Sequence, residues 1–200
     1  MTLPLLAPTE HLLSPREFGT KTEFMSEIGQ GDEPVAIMLT CWELGVAPDQ
    51  VSHANPGEII ITQNPGGLVH AVDQGQCAAL DSILFGLSQS SIRHLVVCGH
   101  TLCKTLSLLI TEDDEKKNPF GEYLLGVRQR LDETYYDRRP IDWQGIIVQE
   151  AVLQQLANLR SHMYIQSRLQ EGSLRMHGWI RDDQTATIAS YDPVTGQFCD

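Results

Sequence analysis

Short apolar runs along this chain stop abruptly at cysteine, histidine or glycine, and that repeated stop sets the expected architecture. Val35 to Thr40 (VAIMLT) follows Pro34 and ends at Cys41, the pattern of a strand buried on both faces. A turn at Asn55 to Gly57 leads into a second run, Glu58 to Thr62, which gives way to a glycine-rich loop at Gln63 to Gly67. Leu95 to Val97 opens a third, within LVVCGHTLCKT, where Gly99 permits a turn and His100 and Cys103 follow. Between the second and third runs, residues from Ala71 to Leu87 have helical spacing, with Val72, Ala79, Ile83 and Leu87 on or near one face.

Helical periods dominate the next stretch. Phe120 to Tyr135 has an amphipathic pattern, and Pro140 marks a break from Arg138 to Trp143. Ile146 to Leu159 is more strongly helical, with Ile146, Val148, Val152, Leu156 and Leu159 apolar and polar residues between them. Ser173 to Ile180 and Thr185 to Tyr191 are two late strands around a turn at Asp182 to Gln184, and a short helix is expected at Asp49 to His53. Strand, turn, strand, helix, strand predicts an α/β fold with a mostly parallel central sheet flanked by helices and late strands at its edge. Residues 1–30, with a short helix around Glu23 to Ile28, form an N-terminal arm, and residues 31–200 form a single domain.

Composition narrows the function. A chain of 200 residues with 42% hydrophobic content can bury one sizeable core. Its 14 basic and 26 acidic residues give a net charge of −12 and a pI near 4.9, so nucleic acid is not an expected partner. No run approaches the ~18 apolar residues needed to span a bilayer, and the amino terminus lacks a basic region followed by an apolar segment. Cytoplasmic residence is expected. The cysteines Cys41, Cys77, Cys98, Cys103 and Cys199 are scattered and odd in number, which suits a reducing compartment. Cys77 and Cys98 are expected to pack in the core and Cys199 to be exposed; the charged stretch Thr111 to Asn118 is a solvated run.

Candidate chemistry lies where the strands stop. His100 and Cys103, three residues apart, can face one ion, although such a pair taken alone is as readily core packing. Ligand sites in open α/β sheets gather at the carboxyl ends of strands, which lets Cys41 join the pair there. Two thiolates and one imidazole favour zinc, and three protein ligands leave a fourth position for water or another side chain.

The sequence resembles the β-class carbonic anhydrases, whose zinc is held by C-x-D-x-R on one strand and H-x-x-C on a later one. CWELGVAPDQVSHANPGEIIITQNPGGLV stands where that family has its cysteine motif, proline turn and glycine loop. SILFGLSQSSIRHLVVCGHTLCKT stands where the family has a helix, a strand and G-H-x-x-C-G, and HGWI with Asp182 resembles its penultimate strand. The similarity spans roughly residues 30 to 198. The resemblance implies one zinc ion per chain held by Cys41, His100 and Cys103, reversible hydration of CO2 to bicarbonate, and at least a homodimer. It also makes a carbon-concentrating compartment a possible setting.

Departures fall in the chemistry. In the family the Asp of C-x-D-x-R accepts a hydrogen bond from zinc-bound water, and the Arg pairs with that Asp to keep it off the metal. Those positions here are Glu43 and Gly45. Glu43 can orient the water, leaving an active enzyme, or fill the fourth position and close the site. Because nothing nearby in sequence replaces the guanidinium, closure and a pseudoenzyme are favoured slightly. A third reading is hydrolysis of another small linear substrate, as some members act on carbon disulfide. Gln63 stands for the family's loop Arg and Lys104 for the glycine after its second cysteine; Trp42, His53 and His70 are candidate pocket residues.

Overall fold

The computed structural model describes residues 3, 6, 14–31, 33–44, 54–73, 75, 77–89, 91–108, 121–135 and 143–199, with the side chains of 121–126 left aside. Gly45, the helix expected at Asp49 to His53, the charged stretch Thr111 to Asn118 and Pro140 lie outside the described residues. Six strands form one sheet in the order β2-β1-β3-β4-β5-β6. They are β1 (Ala36–Cys41), β2 (Ile59–Asn64), β3 (His94–His100), β4 (Arg175–Arg181), β5 (Ile188–Asp192) and β6 (Gln197–Cys199). The first four run parallel, and β5 and β6 add an antiparallel edge. The α-helices among the described residues are α1 (Lys21–Glu27), α2 (Ala78–Leu87), α3 (Lys104–Ser107), α4 (Gly121–Tyr135), α5 (Trp143–Arg160) and α6 (Met163–Gln170). None of them is long and apolar enough to cross a membrane.

Parallel strands covered on both faces have no polar side to show, which explains why β1 and β3 read as continuous apolar runs. Alternate residues divide between two clusters. Ile37, Leu39, Leu95, Val97, Met176 and Ile180 join the larger one, with Ile83 of α2 and Val152 and Leu156 of α5. Ala36, Met38, Val96, Cys98 and Trp179 point the other way and meet Phe24 and Ile28. The segment read as an arm therefore lays α1 onto the sheet. Phe24 is fully buried, with its ring edge-on to His94, His177 and Trp179. A capping box at Thr20 and Glu23 starts this short helix.

Helix α5 differs from its expected amphipathic pattern because Gln149, Glu150, Gln155 and Asn158 are buried too. Two of these polar groups serve the loop after β2. Gln155 Oε1 accepts from the Val69 N–H at 2.8 Å, and Asn158 Nδ2 donates to the Val69 carbonyl at 2.8 Å. They pair a buried backbone segment that has no strand neighbour to pair it. Helix α2 starts seven residues later than Ala71: Gly75 adopts a φ of +98°, which breaks the helical path, and Val72 is exposed. The pattern also gave no sign of α6 or β6.

Candidate metal centre

Cys41 is the last residue of β1, and His100 is the last of β3, its immediate parallel neighbour. Cys103 follows after a turn and stands just before α3. The pairing of β1 with β3 thus converts a separation of 62 residues between the two cysteines into direct contact. All three side chains are buried, and one ligand atom from each lies within 4.8 Å of the others. The two sulfurs are 3.8 Å apart. Two thiolates held about 2.3 Å from a common ion at the tetrahedral angle are separated by about 3.8 Å, so the spacing suits zinc without rearrangement.

The imidazole is pre-set for the same task. Its Nδ1 lies 2.8 Å from Asp183 Oδ2, which also accepts from the Leu102 N–H at 2.8 Å. With Nδ1 committed to a carboxylate, the proton sits on that nitrogen and Nε2 is free to ligate. Nε2 is buried and has no hydrogen-bond partner among the described residues. Such an orphaned acceptor beside two thiols fits a bound cation. Burial alone lowers the His100 pKa, but the Cys41 sulfur and the Asp183 carboxylate outweigh it and the net shift is upward.

The thiols are also prepared for ligation. The Cys103 S–H directed at the Cys41 sulfur is the largest influence on Cys41 and brings it down to about 5, with help from His100 and the Gly66 N–H. The same contact and burial keep the proton on Cys103. In effect the pair holds one proton between two sulfurs, and a metal ion would displace it. Gly66 donates to Cys41 Sγ at 3.3 Å. This approach depends on Gly66 and Gly67, at φ +75° and +64°; a Cβ on Gly67 would stand 3.2 Å from the Thr40 carbonyl carbon. The glycine-rich stop after β2 is a support for the thiolate.

Glu43 sits on a single helical turn (Trp42–Leu44) directly after Cys41. Its carboxylate accepts three hydrogen bonds: Lys104 N–H to Oε2 at 3.0 Å, Thr105 N–H to Oε1 at 3.3 Å and Thr105 Oγ1–H to Oε1 at 3.1 Å. Burial pushes its carboxyl up, yet these bonds hold it below the usual carboxylate range. The preference for closure assumed an unpaired carboxylate; the donors come from the loop after Cys103, a partnership that local sequence does not display. Lys104 contributes its backbone, while its side chain is exposed.

Trp42, Gln63, His53 and His70 are the candidate pocket residues. Trp42 is 62% exposed, Gln63 is exposed and lines a cavity of about 330 Å³ with Asn64, Pro65, Cys77 and Ser82, and His53 lies outside the described residues. His70 is buried beside α5, its carbonyl 3.0 Å from His162 Nε2. Asp183 and Thr105 are the supporting residues that sequence reasoning missed. The signal for Asp183 was its place two residues beyond Arg181, the β4 partner of His100.

An α/β sheet that gathers a buried Cys2His set at the ends of parallel strands has the groups to hold a metal ion. The sequence profile of the family described as carbonic anhydrase matches residues 36–188, and the chain belongs to the β-carbonic anhydrase family. It is 27% identical over 194 residues to a carbonic anhydrase of Synechocystis sp., covering 90% of this chain and 68% of that one. Identity to a carbonic anhydrase of Synechococcus elongatus is 25% over 171 residues, covering 83% and 63% respectively. The chain thus spans about two thirds of the length of these relatives. Its fold is similar to the solved β-carbonic anhydrase CcaA, with a TM-score of 0.76, 23% identity and coverage of 90% and 89%. It is also similar to tetrameric β-carbonic anhydrases of Sordaria macrospora, with a TM-score of 0.66, 19% identity and coverage of 85% and 86%.

Proposed function

We propose that this chain is a zinc-dependent carbonic anhydrase that interconverts CO2 and bicarbonate. The observation that supports the reading is the engagement of Glu43 by Lys104 and Thr105, beside the Cys41, His100 and Cys103 cluster found among the described residues; with Glu43 so held, a fourth position would stay free for water. Zinc, when bound, supplies the Lewis acidity that makes water a nucleophile near neutral pH. Cys41, His100 and Cys103 hold the ion; Asp183 keeps the His100 proton on Nδ1; the Gly66 N–H steadies the Cys41 sulfur. Glu43, two residues after Cys41, would orient a polar group at the position that the three ligands leave free.

Stopped-flow CO2 hydration tests this directly. Protein carrying about one zinc per chain is expected to accelerate hydration well above buffer. Background rates at full zinc loading would replace this reading with the closed, non-catalytic one.

Assembly belongs to the same proposal. β2 is an edge strand whose residues from Ile60 to Thr62 are only partly buried, and a homodimer or larger homo-oligomer is the expected form. Its support is the family membership and the tetrameric fold neighbours. Sedimentation equilibrium at micromolar protein is expected to give at least twice the chain mass; a monomer would remove this part. The cytoplasm is the compartment that best suits five free cysteines, two of them in the ligand set.

A further inference from the structure

We infer that Thr105 and the Lys104 N–H form a latch that holds the Glu43 carboxylate away from the metal position, doing the work for which the family uses an arginine. This inference rests on the open-site reading above and names what keeps the site open. Position 45 is glycine and has no cation to offer. A carboxylate two residues from a zinc thiolate is attracted to the ion, so an open site needs a competing partner of comparable strength. Three donors to one carboxylate form such a partner, since a charged acceptor makes stronger hydrogen bonds than a neutral one.

The latch is built from the loop that carries Cys103, so it closes on Glu43 only when both cysteine-bearing segments are in place. Thr105 is buried, and its methyl group faces Gly66, where a Cβ would come within 3.2 Å of it. With the methyl group on that side, the hydroxyl reaches Glu43 Oε1. Thr105 is a positioning residue, acting through Glu43.

The donors can be removed with little damage. Valine is nearly the shape of threonine and keeps the methyl contact. Lys104 is the first residue of α3, where proline is tolerated, and Cys103 before it has φ −62° and ψ 111°, the extended conformation that proline requires of its predecessor. Lys104→Pro with Thr105→Val therefore deletes two of the three donors and leaves the longest one.

The test uses cobalt(II)-loaded protein, whose visible spectrum reports coordination, and azide as the probe of an exchangeable position. Wild type is expected to bind azide with a spectral change. Azide affinity should fall about tenfold or more in the double variant as Glu43 takes the position. Adding Glu43→Ala should raise azide affinity well above that of the double variant, because the competing carboxylate is gone. Thr105→Ser, which keeps the hydroxyl, should behave as wild type, and Thr105→Val alone should lie between. Unchanged azide affinity in the double variant would overturn the latch while leaving the open-site reading intact. So would failure of Glu43→Ala to restore binding, since the loss would then be damage to the site. A wild-type site that ignores azide would sink both readings together.

Discussion

His100→Ala is expected to abolish stoichiometric zinc binding, because it removes one of the three proposed ligands and leaves two thiols, with Glu43 engaged by Lys104 and Thr105. Elemental analysis after gel filtration is the measurement, and full retention of zinc would remove His100 from the ligand set. Asp183→Asn provides the graded counterpart. An amide can still accept from the Leu102 N–H, but it is neutral and can turn its NH2 toward His100 Nδ1. The imidazole then loses the partner that fixes its tautomer, and zinc affinity should fall by about 10–100-fold. Competition with a chromophoric chelator reads that change. If Asp183→Asn held zinc as tightly as wild type, the carboxylate would be a turn-stabilising group only.

The second large effect lies on the opposite face of the sheet, where His94 Nδ1 and His177 Nε2 are 3.0 Å apart beneath Phe24. Burial, and secondarily the positive field of a protonated His94, pushes His177 down to about 3 from an ordinary 6.5. Burial likewise lowers His94, against the pull of Glu27. A group whose pKa is lower in the folded state is neutral there and protonates more readily when unfolded. The contribution of His177 is therefore fully present above pH 6.5 and is lost as pH falls from 6.5 toward 3. One proton taken up on unfolding corresponds to about 1.4 kcal/mol lost per pH unit. Urea midpoints between pH 7.5 and 5 should fall steeply in wild type and less steeply in His177→Gln. The difference between the proteins is the readout, because metal loss in acid is common to both. Parallel pH profiles would show that His177 protonates in the fold.

The fold was legible wherever burial was two-sided. The runs at Val35 to Thr40 and Leu95 to Val97 suited interior strands and are β1 and β3, and their stops at Cys41 and at His100 pointed to the Cys2His cluster. Legibility failed where a role is assigned by a distant neighbour. Asp182 and Asp183 are adjacent and chemically alike, yet Asp182 accepts from the N–H groups of Gln184 and Thr185 to make the turn, while Asp183 reaches His100. Only the β3–β4 register distinguishes them. The same holds for Glu43, whose fate depends on donors more than 60 residues away. Helix α6 escaped notice because Ile165 and Leu169 are its only buried residues while Met163 and Tyr164 are exposed, too thin a stripe for periodicity to show.

The braces of the site share one property: Glu43 reaches across 61 residues to Lys104, Val69 across 86 to Gln155, and His100 across 83 to Asp183. Contacts of such sequence separation carry a large loop-closure cost and form late in folding. Unlike a zinc finger, whose ligands sit close together in the chain and whose metal drives the collapse, this centre is assembled by a sheet that must already exist. A metal ion bound here would arrive as the last component of a finished molecule, and its affinity would measure how well the whole sheet has closed.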